Sequence, residues 1–251
     1  MLRLEDYISK LDTERFGFKI AKFDFDDRKN NVEEIILFLK EQQVPLIITK
    51  VNCENIRLIN QLEKHGFRIM DFQLGYDYYD SKENSAGVKK KNLYPVSEIR
   101  PSDVDDLVNL AEDLFDKFGH YFADERLDRK KCLEIYKDWT RNVCTKKEYA
   151  DVVYAAYDNE KPIGYFAFRE KKVNDTPVAT GVIGAVSSKY SGRGIFRSML
   201  VKGVEWAAGR DIVLKDVKVH ATNYAVNAAF TKEGFRIGTC CVTMHCWNEK
   251  K

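Results

Sequence analysis

The sequence predicts a mixed α/β fold of the α+β class, in which a mostly antiparallel sheet is flanked by helices. Between residues 96 and 247, apolar patterns follow in the order strand, two helices, three strands, helix, strand, helix and strand. Part of this pattern also recurs near the N-terminus. This order favours a mixed sheet over a parallel, doubly wound one, because consecutive strands without intervening helices pair as antiparallel hairpins.

A polar, glycine-containing stretch at 81–93 is the best candidate for a linker, because it has no apolar periodicity. It divides the 251 residues into a smaller N-terminal lobe at 1–80 and a larger C-terminal lobe at 94–251. A chain of this length can supply each lobe with its own core.

Composition and charge give no reason to expect a nucleic acid or a membrane as partner. The net charge is +2, and the only dense basic run is Lys89–Lys91 in the linker. No apolar stretch approaches the roughly 18 residues of a membrane span. The six cysteines form no C-x-x-C pair, so we expect no metal site, free structural thiols and a cytoplasmic location.

The larger lobe is predicted to begin with a strand at Val96–Arg100, followed by two helices. The first helix has apolar residues at helical spacing, at Val104, Leu107, Val108, Ala111, Leu114 and Phe115. The elements predicted after it are a helix at Leu127–Asn142, strands at Val152–Tyr157, Ile163–Phe168 and Val178–Val186, a helix from about Gly192 to Ala208, a strand at Ile212–Ala221, a helix at Asn223–Glu233, and one or two strands within Phe235–Trp247.

An internal repeat becomes visible when the chain is shifted by 168 residues. Lys50–Asn55 then lies over Lys218–Asn223, and both segments reach a glycine at the same spacing, with eight identities in the twenty positions from Lys50 to Ile69. Each copy is predicted as a strand, a helix, a glycine that ends the helix, and a strand. The N-terminal copy lacks a counterpart of the loop at Ser191–Phe196, so we expect a scaffold there rather than a second active site.

That loop, Tyr190–Arg197, follows an apolar strand and opens an amphipathic helix. Glycines at the start of a helix let backbone N–H groups approach a ligand closely, and the helix dipole favours an anion there. A pyrophosphate would suit this position, with Arg193 and Arg197 adding positive charge. The spacing alone also fits a simple tight turn.

The string from Ile183 to Ile195, followed by Asn223 and Gly234-Phe235, resembles the GNAT acetyltransferase superfamily. The resemblance implies a GNAT fold over about Ile99–Trp247, a degenerate GNAT-like N-terminal lobe, and acetyl transfer from acetyl-CoA to an amine. It also implies that the backbone of Val186 binds the thioester carbonyl and that Asn223 contacts the pantetheine arm. The cofactor-binding residues implied are Ala185, Val186, Ser191, Gly192, Arg193, Gly194, Ile195, Phe196, Asn223 and Phe230.

Three positions depart from the family pattern. Ser191 stands where the family usually has Arg or Gln, Phe196 where it has Gly or Ala, and Phe230 where it often has the Tyr that acts as general acid. Direct attack of an amine on a thioester needs no covalent cysteine intermediate. A thiolate can also leave without compulsory protonation, because a thiol has a pKa of about 8.5. The proton chemistry is therefore expected elsewhere.

His245 and His120 are the candidate catalytic residues. Strand alternation puts His245 on the same face as Thr243, opposite an apolar face with Val242, Met244 and Cys246. It is either a proton carrier or a histidine satisfied within the sheet. His120 lies in an aromatic loop that builds the acceptor site in GNAT folds, or it simply packs there. Tyr224 is a third option.

Several strings resemble the dTDP-fucosamine N-acetyltransferase branch of that superfamily, which acts on nucleotide-linked amino sugars. They are Asp12–Ile20, His120–Asp124 with Arg126–Asp128, Asn223–Val226 and Thr243–Trp247. The resemblance implies Tyr121, Asp124, Arg126 and Tyr224 as substrate-binding residues. Aromatic rings can stack on a base or sugar, and an arginine can meet a diphosphate.

Two other functions stay open. The acceptor can be another amine, such as a peptide N-terminus, a lysine or an aminoglycoside. Alternatively, the protein is an acyl-CoA-binding module whose chemistry has lapsed, because Ser191 and Phe230 depart from the pattern. Pairing of the closing strands in a homodimer is also left open.

Overall fold

The computed structural model describes residues 2–25, 31–79, 94–112, 119–173 and 175–248. The linker expected at 81–93, and Leu114 and Phe115 of the first predicted helix, lie outside these residues. The chain forms two compact units, the first from Met1–Gln73, Gly119–Cys132 and Cys240–Lys251, the second from Leu74–Phe118 and Leu133–Thr239. These units are discontinuous in sequence, unlike the lobes predicted at 1–80 and 94–251, because the described residues 119–132 and 240–248 belong to the first unit.

From residue 96 onwards the helices and strands follow the predicted order, with one additional short helix, His120–Ala123, between the two predicted helices. In chain order they are α1 (Lys10–Phe16), β1 (Ile20–Lys22), α2 (Val32–Glu41), β2 (Leu46–Asn52), α3 (Ile56–Lys64), β3 (Arg68–Tyr78), β4 (Val96–Glu98), α4 (Val104–Glu112), α5 (His120–Ala123), α6 (Arg129–Thr145), β5 (Val152–Asp158), β6 (Lys161–Val173), β7 (Thr176–Val186), α7 (Ile195–Ala208), β8 (Val217–His220), α8 (Tyr224–Lys232) and β9 (Phe235–Trp247). The mixed α/β architecture is therefore confirmed.

In the first unit, β1 pairs with β2 in parallel and β2 pairs with β9 in antiparallel orientation. The register places Ile48 opposite His245 and Thr49 opposite Met244. Val242, Met244 and Cys246 lie in the buried core with apolar residues of α2 and α3. This confirms the predicted apolar face of the closing strand, since alternate residues of a strand point to opposite faces.

In the second unit, β4, β5, β6 and β7 form an antiparallel sheet in that order. The sheet shares a core with α7, to which Phe166 and Phe168 contribute from β6 and Met199 and Leu200 from α7. The strands are long and carry consecutive buried residues, which is typical of a sheet covered by other elements. This packing fixes the start of α7 close to the end of β7.

The two copies of the internal repeat adopt the same local structure. Asn55 begins α3 by accepting a hydrogen bond from the N–H of Leu58 at 3.1 Å, and Asn223 begins α8 by accepting one from the N–H of Val226 at 3.3 Å. Each helix is followed by a glycine in the left-handed region, Gly66 at φ 90° and Gly234 at φ 83°. The predicted order of strand, helix, glycine and strand is confirmed in both copies.

Several predicted boundaries are wrong for identifiable reasons. Helix α7 begins at Ile195 rather than near Gly192, because Gly192 and Gly194 both have positive φ. The strand predicted over Ile212–Ala221 is reduced to β8, because Asp211 and Asp216 also adopt positive φ. The helix predicted at Leu127–Asn142 is α6, which starts after Asp128 accepts a hydrogen bond from the N–H of Lys131 at 3.0 Å.

The cysteines of the protein are free thiols. Burial raises the pKa of Cys132 to about 11 and that of Cys144 to about 12. Such thiols are protonated near neutral pH and are poor nucleophiles. The pattern supports the structural role expected for them.

None of the helices in the described part of the chain is both long and apolar enough to span a bilayer.

The packing of α7 on β6 makes a testable prediction at Gly203. A Cβ atom there would lie 2.2 Å from Cζ of the fully buried Phe168 ring, which has no room to move away. Replacing a helical glycine by alanine normally stabilises by about 1 kcal/mol. Overpacking a core costs about 1–3 kcal/mol, so we expect Gly203→Ala to lower the free energy of unfolding.

Gly209→Ala is the matched control, because Gly209 has a helical φ of −65° and the nearest atoms to an added Cβ are 3.6 Å away. We expect it to raise stability by up to about 1 kcal/mol. Urea unfolding followed by circular dichroism measures both changes. Equal stabilisation by the two substitutions would contradict the close packing of α7 on Phe168.

Candidate functional site

The end of β7 presents a backbone N–H group away from its partner strand. Ser187 donates its N–H to the carbonyl of Ile163 at 2.8 Å. Because successive N–H groups of a strand point to opposite sides, the N–H of Val186 points away from β6. On the side of β7 that faces away from β6, Ala179 forms backbone hydrogen bonds with Val213 and Lys215. Among the described residues, β7 has no other backbone hydrogen bond to this segment. Val186 therefore lies on an open edge of the sheet, while its contact with a thioester carbonyl stays a prediction.

The loop after β7 exposes backbone rather than side chains. Gly192 and Gly194 have φ of 76° and 77°, and a Cβ added to either would meet no atom within 4 Å. The glycines are thus needed for their backbone conformation, which a residue with a side chain adopts only at a cost. Ser191, Gly192, Arg193 and Gly194 are all exposed.

The start of α7 is suited to bind an anion. Its first N–H groups have no acceptor within the helix, no side chain caps it at Gly194, and its first turn contains no acidic residue. The positive end of the helix dipole is therefore not compensated by a side chain of this turn. Backbone N–H groups at a helix start preceded by left-handed glycines are of the kind that bind phosphate groups.

The arginines of this loop have different surroundings. Arg193 donates to the hydroxyl of Tyr94 at 2.9 Å and stacks its guanidinium over Tyr190. Arg197 forms an ion pair with the buried carboxylate of Glu233. The charge of Arg197 therefore compensates Glu233, and Arg193 is the better placed of the two to meet an anion.

Three residues predicted to bind the cofactor are buried instead. Ala185 and Ile195 point into the core of the second unit, which leaves only their backbone atoms for a ligand. Phe230 is fully buried and stacks on Tyr76, with ring centroids 4.9 Å apart, and its ring meets that of Phe196 at a tilt of 53°, with centroids 5.8 Å apart. Burial gives Phe230 a packing role, because its ring has no exposed face. Phe196 remains half-buried.

The first residues of α8 combine a cap with an exposed ring. The side-chain oxygen of Asn223 accepts the hydrogen bond that starts the helix, so its cap function is established while its contact with a cofactor stays a prediction. Tyr224 is 78% exposed. Its predicted roles as proton carrier or substrate contact remain predictions.

A second group of functional side chains lies in the first unit, around Asp124. His245 of β9 is only 1% exposed, and its Nδ1 lies 2.6 Å from Oδ2 of Asp124. Trp247 donates its Nε1–H to the same oxygen at 2.9 Å, and the N–H of Arg126 donates to Oδ1 at 3.1 Å. Asp124 was predicted to bind substrate, but the structure buries it behind His245, so it can act on substrate only through another residue.

The electrostatics of Asp124 follow from this arrangement. Burial disfavours the charged carboxylate, but the hydrogen bonds from His245, Trp247 and the backbone outweigh it, and the pKa of Asp124 is lowered. The carboxylate is therefore ionised at neutral pH. A permanent negative charge then faces the buried ring of His245.

His120, the first residue of α5, completes this group. Its Nδ1 lies 2.8 Å from Nε2 of His245, although the two residues are far apart in sequence. The rings meet nearly at right angles, at 82°. The structure thus brings both predicted catalytic histidines into direct contact, and His120 is the partly exposed member.

Tyr121 belongs to a neighbouring buried network that the sequence did not reveal. Its hydroxyl donates to Oδ1 of Asp12 at 3.0 Å and accepts from Nζ of Lys22 at 2.7 Å. Its ring is buried and stacks on Phe16, with centroids 5.9 Å apart. The ring is therefore already packed, contrary to the stacking on substrate that the sequence suggested. No signal in the short segment around Lys22 pointed to this contact.

Arg126 stands at the surface beside the Asp124 group. Its guanidinium lies over the ring of Trp247, 5.6 Å from the centroid, and the residue is exposed. Within the described ranges, no cluster of three or more histidine, cysteine or acidic residues is arranged to hold a metal ion.

Comparisons with solved structures show the same fold. A functionally unknown conserved protein from Staphylococcus epidermidis ATCC 12228 is 12% identical, with 92% of this chain and 85% of that chain covered and a TM-score of 0.59. A GCN5-related N-acetyltransferase from Sphaerobacter thermophilus is 10% identical, with 92% and 74% covered and a TM-score of 0.59. A tandem GNAT protein from the clavulanic acid biosynthesis pathway is 11% identical, with 92% and 76% covered and a TM-score of 0.63.

A search of the curated proteins finds no significant match. The model of the acetyltransferase (GNAT) family matches residues 107–235, which is just over half of the chain. The matched range contains the open edge of β7, the glycine loop and the start of α7. The chain therefore belongs to the GNAT family and is an acetyl-CoA-dependent acetyltransferase that acts on an amine.

Proposed function

We propose that the protein transfers the acetyl group of acetyl-CoA to the amino group of a nucleotide-linked amino-dideoxy sugar. The observation that carries the acceptor is the cluster formed by His120, Asp124 and His245 with Arg126 stacked on Trp247. Both sequence strings that contribute to it, at 120–128 and 243–247, resemble the branch that acts on nucleotide-linked amino sugars. An exposed arginine suits the diphosphate of such a substrate.

The donor is held mainly by backbone groups. The N–H of Val186 is directed to an open edge, where it can polarise a thioester carbonyl as an oxyanion hole does. The left-handed glycines and the start of α7 hold the pyrophosphate, with Arg193 as the adjacent cation. A thioester supplies an activated acyl carbon and a thiolate that can leave, so the chain needs only to orient it and to manage the proton.

The acceptor attacks the thioester directly in this proposal. Burial raises the pKa of Cys132, Cys144 and Cys246, which removes them as thiolate nucleophiles. The intact backbone cradle at Gly192 and Gly194 also argues against a binding module whose chemistry has lapsed. The departures at Ser191 and Phe230 change side chains and leave these backbone donors in place.

The other features fit a small-molecule enzyme of a reducing compartment. The free thiols favour the cytoplasm, as the sequence predicts. Nothing in the charge of +2 favours a nucleic acid as substrate. A homodimer through the closing strands stays a prediction.

The donor site predicts a specific effect at Gly194. Alanine at φ 77° costs about 1–2 kcal/mol, and the loop relieves this strain by moving the backbone donors away from the pyrophosphate. We expect Gly194→Ala to raise the KM for acetyl-CoA by about tenfold, since 1.4 kcal/mol corresponds to a factor of ten. Steady-state kinetics and calorimetric titration with CoA measure the change.

Gly209→Ala, at the other end of α7, should leave the KM for acetyl-CoA unaltered, because Gly209 has a helical φ and lies outside the loop. An unchanged KM in Gly194→Ala, with the fold intact, would refute the role assigned to the loop.

The acceptor proposal is tested with a panel of amines in an assay of thiol release. We expect turnover with dTDP- or UDP-linked amino-dideoxyhexoses, and much less with peptides, lysine or aminoglycosides. Arg126→Ala should raise the KM for the nucleotide sugar but not for the free amino sugar, because only the former carries a diphosphate. The KM of Arg126→Lys for the nucleotide sugar should lie between those of the wild type and of Arg126→Ala, since lysine keeps the charge but loses bidentate binding.

Preferred acetylation of a peptide or an aminoglycoside would overturn this acceptor. Equal effects of Arg126→Ala on substrates with and without the diphosphate would overturn the role of Arg126.

A further inference from the structure

Two cysteines that are far apart in the sequence meet at the end of the paired strands β2 and β9. Sγ of Cys240 lies 3.2 Å from Sγ of Cys53, although the two residues are 187 positions apart. The N–H of Cys53 also donates to the carbonyl of Cys240 at 2.8 Å. Both residues belong to the first unit. Their contact continues the register of β2 and β9 by one residue beyond the pair of Asn52 and Cys241.

Strand alternation selects Cys240 rather than Cys241 as the partner of Cys53. Cys240 lies on the same face of β9 as Val242, which is in the apolar core, and Cys53 packs against that core. Cys241 stands directly opposite Asn52, and its side chain points to the other face. The two thiols in contact therefore share one face of the paired strands, at the margin of the core.

This pair of thiols can be reached by a small reagent. Cys53 and Cys240 are both partly exposed, whereas Cys132 and Cys246 are buried. Reactive cysteines combine partial exposure with a suitable neighbour, and buried ones are inert. Contact and exposure thus coincide at Cys53 and Cys240.

The backbone around the pair can accommodate a covalent bond. Facing residues of paired strands have Cβ atoms at about the separation that a disulfide spans. The sulfur atoms need to approach each other by only about 1 Å to reach bonding distance. Strand β2 ends at Asn52, so Cys53 lies in the turn before α3 and can supply this small shift.

The surroundings of Cys53 keep its thiol protonated. Burial, the hydrogen bond with Cys240 and the charges of Cys240 and Cys241 raise the pKa of Cys53 to about 12. A thiol with such a pKa is a poor nucleophile near neutral pH. The first attack on an oxidant is therefore assigned to Cys240, and Cys53 is the thiol that closes the bond.

We propose that Cys53 and Cys240 form a reversible redox site, which low-molecular-weight disulfides oxidise to a disulfide bond that links β2 to β9. The proposed acetyl transfer does not use these residues, so the inference goes beyond that function and stands independently of it. In a reducing compartment the pair remains a dithiol. The bond forms when the ratio of small disulfides to small thiols rises, as in transient, redox-sensing disulfides of the cytosol.

The oxidation consists of two thiol–disulfide exchanges. The thiolate of Cys240 attacks one sulfur of the small disulfide, whose S–S bond breaks, and the other half leaves as a thiolate that takes up the proton lost by Cys240. Cys53 then loses its proton, attacks Sγ of Cys240 and displaces the second half, which is protonated in turn. The two protein thiols are thereby oxidised by two electrons, and the small disulfide is reduced to two thiols.

Oxidised glutathione tests the site in the folded, full-length protein. We expect two of the six thiols to be lost, with no glutathione retained on Cys53 or Cys240, and peptide mapping by mass spectrometry to join these two residues. Because the bond closes a loop of 187 residues, the denatured protein should also migrate faster on a non-reducing gel. Dithiothreitol should reverse both changes.

Serine variants separate the roles of the two thiols. Cys53→Ser should retain glutathione on Cys240, because the thiol that resolves the mixed disulfide is missing. Cys240→Ser should form no crosslink, and its Cys53 should react at least about tenfold more slowly than Cys240 does in Cys53→Ser, since a thiol of raised pKa is rarely ionised.

Cys241→Ser is the matched control, because Cys241 is the adjacent, partly exposed thiol on the other face of β9. It should form the crosslink as the wild type does. Loss of the crosslink in this variant would contradict the selection of Cys240 by strand alternation.

Thermal unfolding shows whether the bond fits the folded structure. The oxidised protein should unfold at a temperature higher by about 5 °C or more than the reduced protein, because the bond restricts the unfolded chain. Circular dichroism measures both midpoints. A midpoint that does not rise would show that the bond distorts the pairing of β2 and β9, and would overturn the proposal.

A folded wild-type protein that keeps Cys53 and Cys240 as thiols in excess oxidised glutathione would also overturn it, as would a crosslink from Cys240 to a different cysteine. These measurements use neither acetyl-CoA nor an amine. Failure of the proposed function would therefore leave their results unchanged.

Discussion

The alternation of neighbouring residues along a β-strand is the constraint on which both functional regions depend. In β7, Ser187 directs its N–H to β6, so the N–H of Val186 must point to the open edge. In β9, Met244 enters the apolar core, so His245 must lie on the opposite face, where it meets Asp124. A shift of either strand by one residue would exchange these roles. The register of these strands therefore determines which groups face the two candidate sites as well as which side chains enter the core.

The two regions use different physical means. In the proposed function the acyl donor is held by backbone N–H groups, so the side chains of Ser191 and Phe230 leave these donors in place. The histidine chain relies on side-chain hydrogen bonds, and each member needs a specific partner. Its buried carboxylate is stable as an anion because three donors surround it, despite the cost of burial.

Local features could be predicted well from the sequence. The order of strands and helices and the repeat at Lys50–Ile69 follow from nearest-neighbour preferences and apolar periodicity. Predicted boundaries failed where aspartates adopt positive φ, at Asp211 and Asp216, since such conformations depend on the surrounding loop.

Contacts between distant segments could not be predicted. Periodicity identifies the face of β9 that carries His245 but not the segment that covers this face. The hydrogen bond between His245 and His120 could therefore not be predicted. The same limit applies to Asp12, Tyr121 and Lys22, which form a partly buried hydrogen-bonded network from three separate segments. It also applies to the burial of Phe230, because sequence similarity compares residue types and not their exposure.

The start of α7 has neither a side-chain cap nor an acidic residue in its first turn, and this affects the stability of the protein when no acyl donor is bound. A helix that begins at a glycine, without a side-chain cap or an acidic residue, forgoes a few tenths of a kcal/mol of stabilisation relative to one capped by Ser, Thr, Asn or Asp. An anion that binds there supplies the missing interaction and shifts the folding equilibrium by mass action, by about 2.7 kcal/mol when it is present at 100 times its dissociation constant. If the acyl donor binds at the start of α7 as proposed, the folded fraction of the enzyme rises with the concentration of that donor.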